Sequence, residues 1–168
     1  MENITADYLS RGATWLLITT LLHFVMNGAG IYETSVIIPK WTSSPPGSLQ
    51  MFREPYGINL KLFWMVLHSV HEAAFILAII FCWKLILIRN VLLILFTVHF
   101  LTRVWTLMYF APNVIEFQQI ANSANPVTGL LDRAVMWRRL NYVRTGVSIL
   151  ISLGLIPLCI SILSLKLK

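Results

Sequence analysis

Four runs of about twenty apolar residues constrain this chain more than any other feature. They cover 12–31, 60–83, 88–111 and 142–165. A bilayer's hydrocarbon core is about 30 Å thick and is crossed by about 20 residues of helix. Inside it every backbone polar group must be bonded within the protein, which makes each run a helix and not an open strand. The expectation is an all-α integral membrane four-helix bundle, with residues 1–168 as a single membrane domain. Composition agrees: 57% of the residues are hydrophobic and only 12% are charged, too little charge to cover a soluble surface.

The net charge of +6 does not point to nucleic acid. Its basic residues are scattered between apolar runs and form no basic face, so they read as membrane-flanking anchors. The partners to expect are the lipid bilayer and a lipophilic small molecule, and a homo-oligomer stays open. Trp15, Trp41, Trp64, Trp83, Trp105 and Trp137 mostly lie near span ends, as an interfacial aromatic belt would. Cys82 and Cys159 sit in apolar stretches without CxxC spacing and read as buried, inert thiols.

The connections differ in kind. A tight link around 84–89 makes spans two and three an antiparallel hairpin. The first connection, 32–61, is long and contains Pro39, the turn cluster Ser43-Ser44-Pro45-Pro46-Gly47 and Pro55. The third, 112–141, is also long, with partial helical character that Asn125-Pro126 should break. Two long loops therefore share one side and a short hairpin lies on the other. Lys84 and Arg89 in the hairpin, and Lys166 and Lys168 in the tail, stand without acids. The basic-loop rule then favours the plasma (inner) membrane with both termini cytoplasmic.

Ionisable groups inside a bilayer are costly and normally face a bundle interior where they have work to do. All four histidines fall inside the runs. His23 and Asn27 are four apart on span one. His68, His71 and Glu72 lie at i, i+3 and i+4 on span two. His99 and Arg103 are four apart on span three, and Asn141 and Arg144 are three apart at span four. Each spacing puts the polar groups on one helix face. Counting about 1.5 Å per residue sets His23, His71, Glu72 and His99 near the bilayer middle. Asn27, His68, Arg103 and Arg144 fall in the half nearer the long loops, giving a polar funnel that those loops cover.

Imidazoles and a carboxylate suit copper, iron or zinc, so His23, His68, His71, Glu72 and His99 are candidate metal ligands. Haem is a further candidate, with His23 and His71, or His71 and His99, clamping the iron. The arginines point instead to an anionic or oxygen-rich ligand. A cofactor-free site also remains open. No nucleophile triad, phosphate loop or nucleotide fingerprint is present in the sequence.

Three stretches carry a resemblance. They are Asn27-Gly28-Ala29-Gly30-Ile31-Tyr32-Glu33 followed by Ile38-Pro39-Lys40-Trp41, then Phe110-Ala111-Pro112-Asn113, and Trp137-Arg138-Arg139-Leu140-Asn141-Tyr142-Val143-Arg144. In order and spacing the chain resembles the DUF1772 (anthrone oxygenase-like) family over nearly its whole length. The resemblance implies a small four-helix membrane protein. It also implies oxidation of a lipophilic ring compound by dioxygen, as fungal members oxidise anthrones to anthraquinones without an evident cofactor. The matching positions are Tyr32, Glu33, Trp41, Asn113, Trp137, Asn141 and Arg144. The intramembrane histidines lie outside that pattern and point to a different chemistry.

The functional expectation is a membrane-embedded oxidoreductase, oxygenase-like, acting on a lipophilic aromatic or quinone-like molecule. In it His71 or His99 is the base, while Arg103, Asn141 and Arg144 hold the developing oxyanion. His23, Asn27, His68, Glu72, Tyr32, Glu33 and Trp137 surround the ligand. The alternatives are a haem- or metal-binding membrane protein, or a small-molecule binding or transport protein without catalysis.

Overall fold

A computed structural model describes residues 5–123 and 127–167 of the chain. The expected break at Asn125-Pro126 lies outside the described residues. The elements in order are α1 (Ala6–Tyr32), a π-helical segment (Glu33–Ile37), α2 (Ile38–Trp41), a 3-10 helix (Gly47–Phe52), α3 (Lys61–Phe81), α4 (Ile86–Trp105), a second π-helical segment (Thr106–Phe110), α5 (Ala111–Ala121) and α6 (Leu130–Lys166). No strand occurs among the described residues. Four helical stretches are long and apolar enough to cross a membrane: Ala6–Trp41, Lys61–Phe81, Ile86–Ala121 and Leu130–Lys166. Large apolar side chains such as Leu17, Val25, Ile80, Ile94 and Leu150 stay exposed along them, which is the surface lipid requires. The chain is an all-α, multi-pass membrane protein.

Helical structure outruns the apolar runs, which corrects two expected loops. Helix continues to Trp41 instead of ending near residue 31, and to Ala121 instead of residue 111, while α6 starts at Leu130 and not near 142. Pro39 and Pro112 stand in the way of such continuation. A proline inside an α-helix lacks the N–H owed to the carbonyl four residues back, and its ring strikes that carbonyl. Each π segment removes the conflict by reaching back five residues. Ile38 N–H bonds to the Glu33 carbonyl and Ala111 N–H to the Thr106 carbonyl. Each proline then opens a fresh helix, where its missing N–H costs little. Asn113 Nδ2 donates to the Tyr109 carbonyl at 2.8 Å, adding a donor beside Pro112.

The chain forms two compact units. The first comprises Met1–Asn27, Phe63–Phe100 and Ser148–Lys168, and the second Gly28–Leu62 and Leu101–Val147. The first unit packs segments of α1, α3, α4 and α6 around Leu16, Phe75, Ala78, Leu92, Leu155 and Ile162. Gly12 makes the close approach possible, since a Cβ there would stand 3.1 Å from both Ile162 Cδ1 and the Phe81 carbonyl oxygen, and small residues let membrane helices meet. Thr19 Oγ1 donates across the helices to the Ala74 carbonyl at 2.9 Å. Cys82 is fully buried, and burial pushes its thiol up to about 11.

The second unit has an aromatic core of Trp41, Phe52, Phe110, Phe117 and Trp137 with Ile38, Leu49, Leu130 and Ala134. The Trp41 and Trp137 rings meet edge to face at 4.9 Å, a favoured aromatic arrangement. Both are only 2% exposed, so these two tryptophans are core and not the interfacial belt expected of them; Trp83, 53% exposed, fits a belt. Gly57 lets the loop fold back on the 3-10 helix, since a Cβ there would lie 2.5 Å from the Phe52 carbonyl.

Candidate functional site

Three histidines converge in the first unit. His23 comes from α1, His71 from α3 and His99 from α4. They are 0%, 0% and 4% exposed. One ring nitrogen of each lies within 4.8 Å of the others. The ring centroids are 4.8 Å apart for His23–His71 and for His71–His99, and 5.7 Å for His23–His99. Three imidazoles gathered this closely in an apolar interior could serve as a donor set for a single borderline-soft ion, which would displace the proton shared between His23 and His71.

Hydrogen bonds orient the first ring. His23 Nε2 lies 3.1 Å from the Ser148 carbonyl oxygen. A carbonyl only accepts, so Nε2 carries the proton and Nδ1 keeps its lone pair. That Nδ1 points at His71 Nε2, 3.0 Å away, which is therefore the donor in the neutral pair. A histidine whose far nitrogen is held by a carbonyl is the usual support for a metal ligand.

Asn27, one turn beyond His23, completes the support. Its Nδ2 donates to the same Ser148 carbonyl at 3.2 Å and to Ser152 Oγ, while its Oδ1 accepts from Ser148 Oγ at 2.6 Å. The hydroxyls of Ser148 and Ser152 were not singled out in the sequence. Their signal was present: serines within an apolar span are common interhelical hydrogen-bonding groups.

The candidate ligand set narrows from five residues to three. His68 stacks on Trp64, with centroids 5.3 Å apart, and its ring lies 6.5 Å from that of His99. It is one helical turn removed from His71 and does not join the converging nitrogens. Glu72 lies at the margin, its side chain 36% exposed and Oε1 4.0 Å from His99 Nε2. That is within electrostatic reach of the centre but outside the ligand group. Haem has no room between the facing nitrogens of His23 and His71, which are 3.0 Å apart. Phe75 covers the cluster, its ring 5.6 Å from His71 and 6.1 Å from His99.

The second unit uses its polar residues otherwise. Trp137, Asn141 and Arg144 share one face of α6 at i, i+4 and i+7, and all three grip the π segments. Trp137 Nε1 donates to the Phe110 carbonyl at 3.2 Å. Asn141, 0% exposed, donates to Thr34 Oγ1 at 2.9 Å. Arg144 donates to Asn141 Oδ1 at 2.6 Å and Thr106 Oγ1 at 3.4 Å, and its guanidinium lies 4.4 Å over the Phe110 ring. Glu33 attracts this guanidinium and Arg103 repels it. Thr34 and Thr106, the partners of this stripe, were also not singled out.

The expected oxyanion donors Asn141 and Arg144 are thus engaged with protein groups, because a buried amide and guanidinium must satisfy their donors locally. Tyr32, expected at the ligand, is 59% exposed. Comparison with protein-family models, with curated proteins and with solved structures finds no match for this chain.

Proposed function

We propose that this protein is an intramembrane metalloprotein. In this reading it holds one transition-metal ion, copper, iron or zinc, on His23, His71 and His99. The ion serves redox chemistry on a lipophilic aromatic or quinone-like molecule taken from the bilayer. The observation that carries the reading is the convergence of three buried ring nitrogens within 4.8 Å. A tetrahedral ion with 2.0–2.1 Å bonds needs nitrogens about 3.3 Å apart, which small ring rotations supply. The redox part and the choice of substrate draw support from the resemblance to DUF1772 (anthrone oxygenase-like) proteins and from the lipid location. The basic residues of the hairpin and tail support a plasma-membrane location with cytoplasmic termini.

Metal analysis of the purified chain tests the reading. One equivalent of copper, iron or zinc is expected, absent from a His71→Gln variant. A metal-free chain that oxidises a lipophilic phenol or anthrone at full rate would overturn it. One observation favours a second reading under that outcome. Glu72 lies 4.0 Å from His99 Nε2, within electrostatic reach of a histidine base. His99 would then remove the substrate proton without a metal, and activity would fall with Glu72→Gln.

A further inference from the structure

We propose that the three-histidine centre is built for monovalent copper, Cu(I), in preference to a divalent ion; this rests on His23, His71 and His99 being ligands. The argument begins with charge. The energy of placing an ion in an apolar interior rises with the square of its charge, so a divalent ion costs about four times as much as a monovalent one before ligands compensate. Here the compensation is small. The converging atoms are three imidazole nitrogens with no carboxylate or thiolate among them. His23 is held neutral in that role, since its far nitrogen bonds to a backbone carbonyl and not to an acid. A carboxylate stands at the margin: Glu72, its side chain 36% exposed, lies 4.0 Å from His99 Nε2, and one carboxylate offsets one positive charge and not two.

Coordination number points the same way. Zinc requires four ligands, and a three-histidine zinc site completes its shell with water or substrate. Magnesium and calcium require oxygen donors. Cu(I), a closed-shell ion, can be satisfied by three donors in a plane, and imidazole is among the ligands that suit copper. Phe75, 0% exposed, packs its ring against both His71 and His99 and offers no fourth ligand from that side. The centre therefore favours the lower charge and the lower coordination number together.

Sulfur is the competing donor for Cu(I), and within the same unit the described residues offer the thiols of Cys82 and Cys159 and the buried thioether of Met26. Cys82 lies against the Gly12 carbonyl, Sγ to O 3.8 Å, and Cys159 Sγ lies 3.2 Å from Thr20 Oγ1. Neither joins the histidine group, so both thiols are replaceable without loss of the ion.

The test is an anaerobic competition on the full chain in detergent. Cu(I) is presented against a chromophoric Cu(I) chelator, with Zn(II) in excess. One Cu(I) per chain should be withheld from the chelator, zinc should not displace it, and the copper absorption edge should show three nitrogen neighbours and no sulfur. His23→Gln, His71→Gln and His99→Gln should each lower the affinity by more than about 100-fold, beyond what removing an outer partner does. Cys82→Ser with Cys159→Ser should leave it unchanged. If the histidine variants fail to fold, the competition on the wild-type chain decides alone. Zinc taken in preference to Cu(I), or sulfur bound to the copper, would overturn the Cu(I) assignment and leave the metal reading or its alternative ligands standing. Uptake of neither ion, nor of Fe(II) offered to the same chain, would overturn the metal reading itself.

Discussion

The two units carry similar loads of membrane-embedded polar residues and dispose of them differently. In the first, three histidine nitrogens from three helices point at a common centre, and the surrounding hydrogen bonds run outward to Ser148, Ser152 and Asn27. In the second, Asn141 and Arg144 turn to particular protein partners: Thr34, Thr106 and the face of Phe110. Both arrangements answer the cost of polar groups in lipid. The first gathers its ring nitrogens at one centre, which an ion would complete on the proposed function. The second answers it pairwise, bracing the two π segments that admit Pro39 and Pro112. A buried polar residue in a membrane span therefore marks either a site or a staple, and convergence distinguishes them.

Four predictions test that distinction, and the largest effect comes first. His99→Ala should abolish stoichiometric metal binding in the purified chain, while Asn141→Ala leaves the metal content intact; loss of metal in both would erase the difference between the units. Asn141→Ala should instead destabilise the protein by about 3 kcal/mol, since it strands the buried Arg144 guanidinium, and a thermal melt in detergent reads this. Asn27→Leu should lower metal affinity by about 10- to 100-fold through the released Ser148 carbonyl and a mobile His23 ring, with a smaller change in melting. Cys82 sharpens the picture at the weak end. Because burial raises its thiol to about 11, the reactive thiolate is scarce at pH 8 and increases only toward pH 11. Maleimide labelling at pH 8 should be slow for Cys82 and rise as the pH approaches 11; rapid labelling at pH 8 would contradict its burial.

Much of the fold was legible because it follows from solvent. An apolar run of about twenty residues has one stable form in lipid, and the runs named the four spans. Their ends were not legible. The helices read as ending before Pro39 and at 111, because the apolar runs stop there and proline normally ends a helix, and nothing local announces a π segment that absorbs one. Trp41 and Trp137 read as belt residues because tryptophan favours interfaces; only their partners make them core. The resemblance stretch from Trp137 to Arg144 was visible as a pattern, but its partners Thr34, Thr106 and Phe110 lie far away in sequence.

The same division holds for the site. Spacing alone put His23 and Asn27 on one face, His71 and Glu72 on another, and His99 on a third. Helical periodicity is a local property, so the sequence by itself determined which side chains share a face and that the chain crosses a membrane. Which faces meet is a matter of packing between helices distant along the chain. Only the tertiary structure decided that His23, His71 and His99 converge while His68 turns to Trp64, that Ser148 holds the ring of His23, and that Asn141 and Arg144 are staples. A shift of one helical turn along a span moves a ring by about 5 Å, and a metal centre tolerates far less than that.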